Sequence, residues 1–181
     1  LAPSADRAAR CESELDYIEA LGQAGFAPLQ RPVRNLRGQW ATRLSGGAPA
    51  TLLTWLAGED AGKAPLTPAR CRQWGRRIAE LHAVSRRLSR GPAPLRYDAA
   101  LAERCARRAE ELARKGVLSA AHARDVALAL EGIGRFLEDA ERGQPFFRVH
   151  ADLSPGNLIV TKEGLAPIDF SLSGDGHAVM D

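Results

Sequence analysis

The stretch "FFRVHADLSPGNLIV" at 146–160 sets polar and turn-forming residues between two short apolar runs. His150, Asp152 and Asn157 stand there in the spacing H-x-D-x-x-x-x-N, and twelve residues beyond Asn157 comes Asp169, in Ile168-Asp169-Phe170. Phosphoryl transfer explains this choice of residues. A hydroxyl nucleophile needs a carboxylate to orient it and accept its proton, and the phosphates need magnesium held by hard oxygen ligands. Asp152 suits the first task, and Asn157 and Asp169 suit the second. His150 would hydrogen-bond within the loop and hold it, while Pro155 and Gly156 supply the turn that brings Asn157 back toward the site.

Positioning these groups requires particular elements. Phe146–Val149 and Leu158–Val160 read as short buried strands, and Glu163-Gly164 turns the chain between "LIVT" and "LAPIDF", a hairpin that returns Asp169 to the neighbourhood of Asn157. Three helices precede the loop. Thr67 with Pro68 opens one that runs to about Leu88, with Trp74, Ile78, Leu81 and Val84 along one face and arginine on the other. "GPAP" at 91–94 ends that unit. Asp98 caps a helix to Lys115 and Ser119 caps another to about Arg142, with Gly116 and Gly143 as helix C-terminal glycines.

Nearer the N-terminus, Leu15, Ile18 and Leu21 recur at helical spacing and predict an amphipathic helix from Arg10 to Ala24. Pro28 closes that region, and "LQRPVR", "QWATRL" and "ATLLTWL" read as a small antiparallel sheet. The segment "AGEDAGKAPL" at 57–66 reads as a linker between two lobes.

Composition narrows the class further. With 181 residues and 45% hydrophobic content, the chain can bury a real core. Cys11, Cys71 and Cys105 are odd in number and far apart, so neither a disulfide framework nor a C-x-x-C metal pair is expected. A net charge of +3 is modest, and only three of the 25 basic residues are lysine, so nucleic-acid binding is not expected. Arginines at 70, 72, 76, 77, 86, 87 and 90 against one acid, Glu80, read as a solvated helix face. His82 reads as a packed helix histidine, His122 as solvated, and His177 has no evident partner. No signal peptide or membrane span is recognisable, which makes a cytoplasmic protein the expectation. The opening on Leu1 and the stop at Asp181 suggest a piece of a longer protein.

The loop "HADLSPGN" and the second motif "PIDFSLSG" resemble the protein-kinase-like fold, and more closely its small-molecule branch, the aminoglycoside phosphotransferase and choline kinase type. "LLTWLAGE" is similar to that family's hinge between lobes, "GRRIAELHAVS" to its first C-lobe helix, and "ESELDYIEAL" to the N-lobe helix whose glutamate pairs with a basic residue on a preceding strand. Ala151 stands where the family usually has glycine.

The resemblance implies an α+β, two-lobed kinase-like fold truncated at both ends. Residues 1–56 would be a partial N-lobe, 57–66 the hinge or linker, and 67–181 a partial C-lobe. It implies transfer of the γ-phosphate of ATP, with Mg2+, to a hydroxyl of a small molecule such as an aminoglycoside, a choline-like compound or a sugar or amino-alcohol metabolite. Asp152 would be the base, Asn157 and Asp169 the metal ligands, Glu14 the partner of a basic residue, and Thr54, Trp55 and Leu56 the backbone that meets adenine. No nucleic-acid or membrane partner follows, and the acceptor and oligomeric state stay open. Two rivals are a catalytically incompetent kinase-like fragment and a metal-dependent hydrolase using His150, Asp152 and Asp169.

Overall fold

A computed structural model describes residues 4–63, 65–88 and 93–181. Part of the "GPAP" stretch and Arg90 therefore lie outside the described residues. The chain forms two compact units, one from residues 1–95 with 147–181 and one from residues 96–146.

The first unit opens with α1, Ser4–Gln23. It starts a turn and a half earlier than Leu15, Ile18 and Leu21 alone indicate, because the preceding stretch is rich in alanine, the best helix former. Leu15, Tyr17, Ile18 and Leu21 are buried and form a core with Phe26, Leu29, Leu81, Val84, Leu153, Leu158 and Phe170. Strands β1, Ala41–Arg43, and β2, Pro49–Thr51, pair antiparallel, and a bridge between Pro32 and Leu53 adds the third expected segment.

The 57–66 stretch is more than a connector. It carries β3, Glu59–Asp60, followed by a 3-10 turn at Ala61–Lys63. β3 pairs antiparallel with β5, Leu158–Thr161, which in turn pairs with β6, Gly164–Pro167, giving the order β3-β5-β6. Gly58 permits this approach, since a Cβ there would stand 2.4 Å from the Val160 carbonyl oxygen. Helix α2, Pro68–Ser85, is capped by the Thr67 side chain accepting from the Arg70 amide, with Pro68 at its first position, as its sequence dictates. Leu81 and Val84 are buried, and Trp74 and Ile78 pack against the core.

The arginine face is only partly solvated. Arg77 is buried, stacks 3.6 Å from the centroid of the Phe26 ring, and donates Nη2 to the Pro28 carbonyl at 2.8 Å. β4, Phe147–Val149, does not pair with its neighbour in sequence, β5. Its partner is β7, Gly174–Gly176, antiparallel, with Arg148 opposite Asp175. The loop of interest therefore joins two different sheets.

The second unit is a helical hairpin of α3, Ala99–Arg114, and α4, Ala120–Gly143. Asp98 and Ser119 cap them by accepting from Leu101 and His122 amides, as expected. Gly116 takes a φ of +70°, the left-handed conformation that ends α3. Gly143 instead remains in α4, and Gln144 ends that helix in an extended conformation. All three cysteines are free, as expected. Among the described residues no helix is long and apolar enough to cross a membrane.

Candidate active site

The loop between β4 and β5 is built around His150, which is 0% exposed. Its Nε2 lies 2.9 Å from the Ile168 carbonyl oxygen, and its Nδ1 accepts from the Asp152 amide at 3.3 Å. A carbonyl can only accept, so Nε2 carries the proton and Nδ1 is bare, the neutral tautomer. Burial pushes the His150 pKa below its ordinary value, despite the Ile168 hydrogen bond and the nearby Asp181 charge, and so favours that neutral form. One ring thus holds the backbone at Asp152 and the strand end next to Asp169.

Asp152 is half-buried. Asn157 Nδ2 donates to its Oδ2 at 2.8 Å and to its carbonyl at 2.9 Å, while the Ser154 amide also donates to that carbonyl at 2.8 Å. Pro155–Asn157 forms a 3-10 turn, with the Asn157 amide donating to the Ser154 carbonyl. Asn157 commits its nitrogen to Asp152, which leaves its carbonyl oxygen as the side-chain atom a hard cation would take.

The β5–β6 hairpin supplies the rest. Leu158 pairs with Pro167, and the Ile168 amide donates to the Asn157 carbonyl at 3.0 Å, so Asp169 follows directly on the residue bonded to Asn157. The strand ends there because Asp169 adopts φ 58° and ψ 67°, with its side chain accepting from Ser171 at 3.4 Å. Asp169 is exposed, whereas Phe170 turns inward between the His150 ring, 4.4 Å between centroids, and the Tyr17 ring, 5.7 Å. α1 also packs against the turn at Phe170–Leu172. Glu14, half-buried on α1, has its pKa pushed up to about 7, first by burial and then by the Asp169 charge.

The segment expected to meet adenine is placed as follows. Thr54 donates its amide to the Arg31 carbonyl at 2.9 Å and accepts from the Arg31 amide through Oγ1 at 2.8 Å. Its carbonyl accepts from Gln30. The Trp55 side chain is 90% exposed and Leu56 is half-buried.

Asp181 is a site residue that sequence reasoning missed. Its buried carboxylate accepts from the Ala151 amide at 2.5 Å, from the His150 amide at 3.3 Å and from His82 Nε2 at 2.8 Å. His82 is thus a bonded helix histidine. An aspartate following an apolar turn carries no local signal of such a role. Ala151, at φ 65°, shows why glycine is favoured at that position. His177 is buried.

Among the described residues no three His, Cys, Asp or Glu side chains converge to hold a metal by themselves. One amide and one carboxylate fit magnesium, which leaves most of its coordination to water and phosphate.

A family model described as "Phosphotransferase enzyme family", APH, matches residues 1–181. The chain belongs to this family. No curated protein sequence matches it significantly. Solved structures share its fold. The streptomycin–ATP–APH(2")-IIa ternary complex is similar at 14% identity and a TM-score of 0.65, over 97% of this chain and 58% of that one. The amicoumacin kinase hAmiN in complex with AMP-PNP, Ca2+ and Ami is similar at 18% identity and a TM-score of 0.63, over 94% and 50%. Spectinomycin phosphotransferase APH(9)-Ia with ADP and spectinomycin is similar at 17% and 0.54, over 94% and 56%. The fold is therefore kinase-like and α+β, and the chain spans 50–58% of the length of these structures.

Proposed function

We propose that the full-length protein transfers the γ-phosphate of ATP to a hydroxyl of a small molecule. The observation that carries this reading is the Asp152–Asn157 hydrogen bond of 2.8 Å, in a loop anchored by buried His150 and returned by the hairpin to Asp169. Asp152 would orient the acceptor hydroxyl and take its proton. Asn157 Oδ1 and the Asp169 carboxylate would hold magnesium, which when bound neutralises the phosphates. His150 positions the loop without touching the reactants. Glu14 would pair with a basic residue near the phosphates. The backbone of Thr54, Trp55 and Leu56 would meet adenine, with the Thr54 amide also donating to the Arg31 carbonyl and its carbonyl accepting from Gln30.

Residues 1–56 are assigned to the small lobe, 57–66 to the connection and 67–181 to the large lobe. The nucleotide and antibiotic ligands of the similar structures support ATP and a small acceptor. The hydrolase reading has less support, because both His150 ring nitrogens are engaged within the protein and offer no lone pair to zinc.

A magnesium titration of initial rates in the full-length protein, across a panel of aminoglycoside and amino-alcohol acceptors, tests the assignment. Asp152→Asn lowers turnover by roughly 10²–10⁴-fold with little change in Mg-ATP affinity. Asp169→Asn alters turnover and the magnesium dependence together. Near-normal turnover in Asp152→Asn would show that "HADLSPGN" is not a phosphotransferase loop.

A further inference from the structure

Beneath the loop lies a buried charge that this chemistry does not use. Arg148, the middle residue of β4 and two positions before His150, is 6% exposed. Its Nε donates to Asp175 Oδ1 of β7 at 3.0 Å and its Nη1 to Ser13 Oγ of α1 at 3.0 Å. Its carbonyl accepts from the Tyr17 hydroxyl at 3.1 Å. With the one Tyr17 proton used there, Ser85 of α2 is the donor in the 2.5 Å bond between the two hydroxyls. Asp175 is fixed in turn, since its Oδ2 accepts from the Ala93 amide at 2.8 Å.

The apolar face of α1 would tolerate sliding or rotation, since Leu15, Ile18 and Leu21 meet the core through non-directional contacts. Hydrogen bonds at Ser13 and Tyr17 do not. Four residues apart, they lie on one side of the helix and straddle Glu14 in sequence. The far end of this segment has its own arginine clamp, Arg77 on Phe26 and on the Pro28 carbonyl. A buried charge is costly unless fully bonded, and its best-attested use is to fix register rather than to add stability.

We propose that Arg148 is a positioning residue. By bridging Ser13 and Asp175 it fixes the rotation of α1 against the strand entering the loop, and with it the direction in which Glu14 is presented, before any ligand binds. The kinetic consequences rest on the reading of Asp169 as a magnesium ligand, whereas the structural ones do not. The role requires a guanidinium, because its fork serves two partners at once and a lysine ammonium on a single stem reaches only one of them in this geometry.

The test uses the full-length protein with Arg148→Lys and with the double variant Ser13→Ala/Tyr17→Phe. The double variant keeps the Arg148–Asp175 pair and the aromatic ring, and it carries the test if Arg148→Lys does not fold. Amide exchange of α1 and α2 is measured beside melting temperature and magnesium-dependent rates. In the double variant α1 exchange rises about ten-fold, reflecting three lost hydrogen bonds, two to Arg148 and one to Ser85, while the part of α2 before Ser85 is unchanged. Turnover falls by about ten-fold with a higher half-saturating magnesium concentration and an unchanged acceptor KM, the pattern of a displaced site group. Arg148→Lys, where folded, reproduces this rather than restoring it.

Unaltered α1 exchange in the double variant overturns the proposal. So does a folded Arg148→Lys protein with a lowered melting temperature but wild-type exchange and magnesium dependence, which is a merely structural role. If the wild-type protein transfers no phosphoryl group to any acceptor, the function proposed above fails, and the exchange measurement still decides whether Arg148 sets α1.

Discussion

Glu14 is the residue whose replacement separates electrostatics from packing most cleanly. Its carboxyl pKa is displaced upward from 4.5 to about 7, by burial first and by Asp169 second. Below pH 4.5 the group is neutral folded and unfolded, so it costs nothing. Between 4.5 and about 7 the unfolded chain releases the proton while the folded chain keeps it, so stability falls as pH rises through that window and stays reduced above it. The interval corresponds to about 3 kcal/mol at 1.36 kcal/mol for each tenfold. Glu14 is partly solvated, and screening reduces this to about 1–2 kcal/mol.

Glu14→Gln has nearly the same shape and no titration. In magnesium-free, nucleotide-free buffer, urea denaturation of the 181-residue chain and its Glu14→Gln variant should therefore agree at pH 4 and differ at pH 8, the glutamine protein being more stable by about 1–2 kcal/mol. Taking the difference matters because His150 titrates oppositely. Its lowered pKa gives stability that is present above its unfolded value and lost as pH falls, but equally in both proteins. A constant difference across pH 4–8, or a glutamine protein less stable at pH 8, would refute the reasoning. The latter would also show that a cation already satisfies Glu14.

Two further outcomes follow from backbone and burial at the loop. Ala151→Gly stabilises the protein by about 1 kcal/mol in the same denaturation assay, because φ 65° strains any residue with a Cβ. Asp181→Asn destabilises it by about 1–3 kcal/mol, because one carbonyl oxygen replaces two acceptors and leaves a buried donor at Ala151, His150 or His82 unmatched.

What was legible in the sequence was what is encoded locally. Thr67, Asp98 and Ser119 announce their helices by the side-chain oxygen each offers to an amide three residues on, and they do so in the structure. Glu163-Gly164 announces a tight hairpin, with Gly164 at φ 133°. The role of His150 within its loop was readable because a histidine between an apolar strand and a turn needs partners. What was not legible depends on pairing across long separations. Gly174–Gly176 has no strand propensity and becomes β7 only because β4 offers it an edge. Glu59–Asp60 becomes β3 for the same reason, at the edge of β5. Arg77 looked like one more solvated arginine until Phe26 and the Pro28 carbonyl closed over it, and Arg148 gave no sign of its bonds to Ser13 and Asp175.

Strain points to the same place as the motif. Among the described residues the two non-glycine positions with positive φ are Ala151 and Asp169, one immediately before Asp152 and the other in the I-D-F motif. Left-handed backbone at such residues costs on the order of 1–2 kcal/mol each and persists only where the surroundings over-determine it. At Ala151 the determinant is the Asp181 carboxylate, which takes the amide at 2.5 Å. At Asp169 it is the pull of two neighbours on opposite sides. The His150 ring holds Ile168 by its carbonyl, while Phe170 is buried between His150 and Tyr17, and the reversal between them turns the aspartate outward. Here both reversals orient carboxylate-bearing segments, and each is enforced by a buried group that makes no contact with solvent.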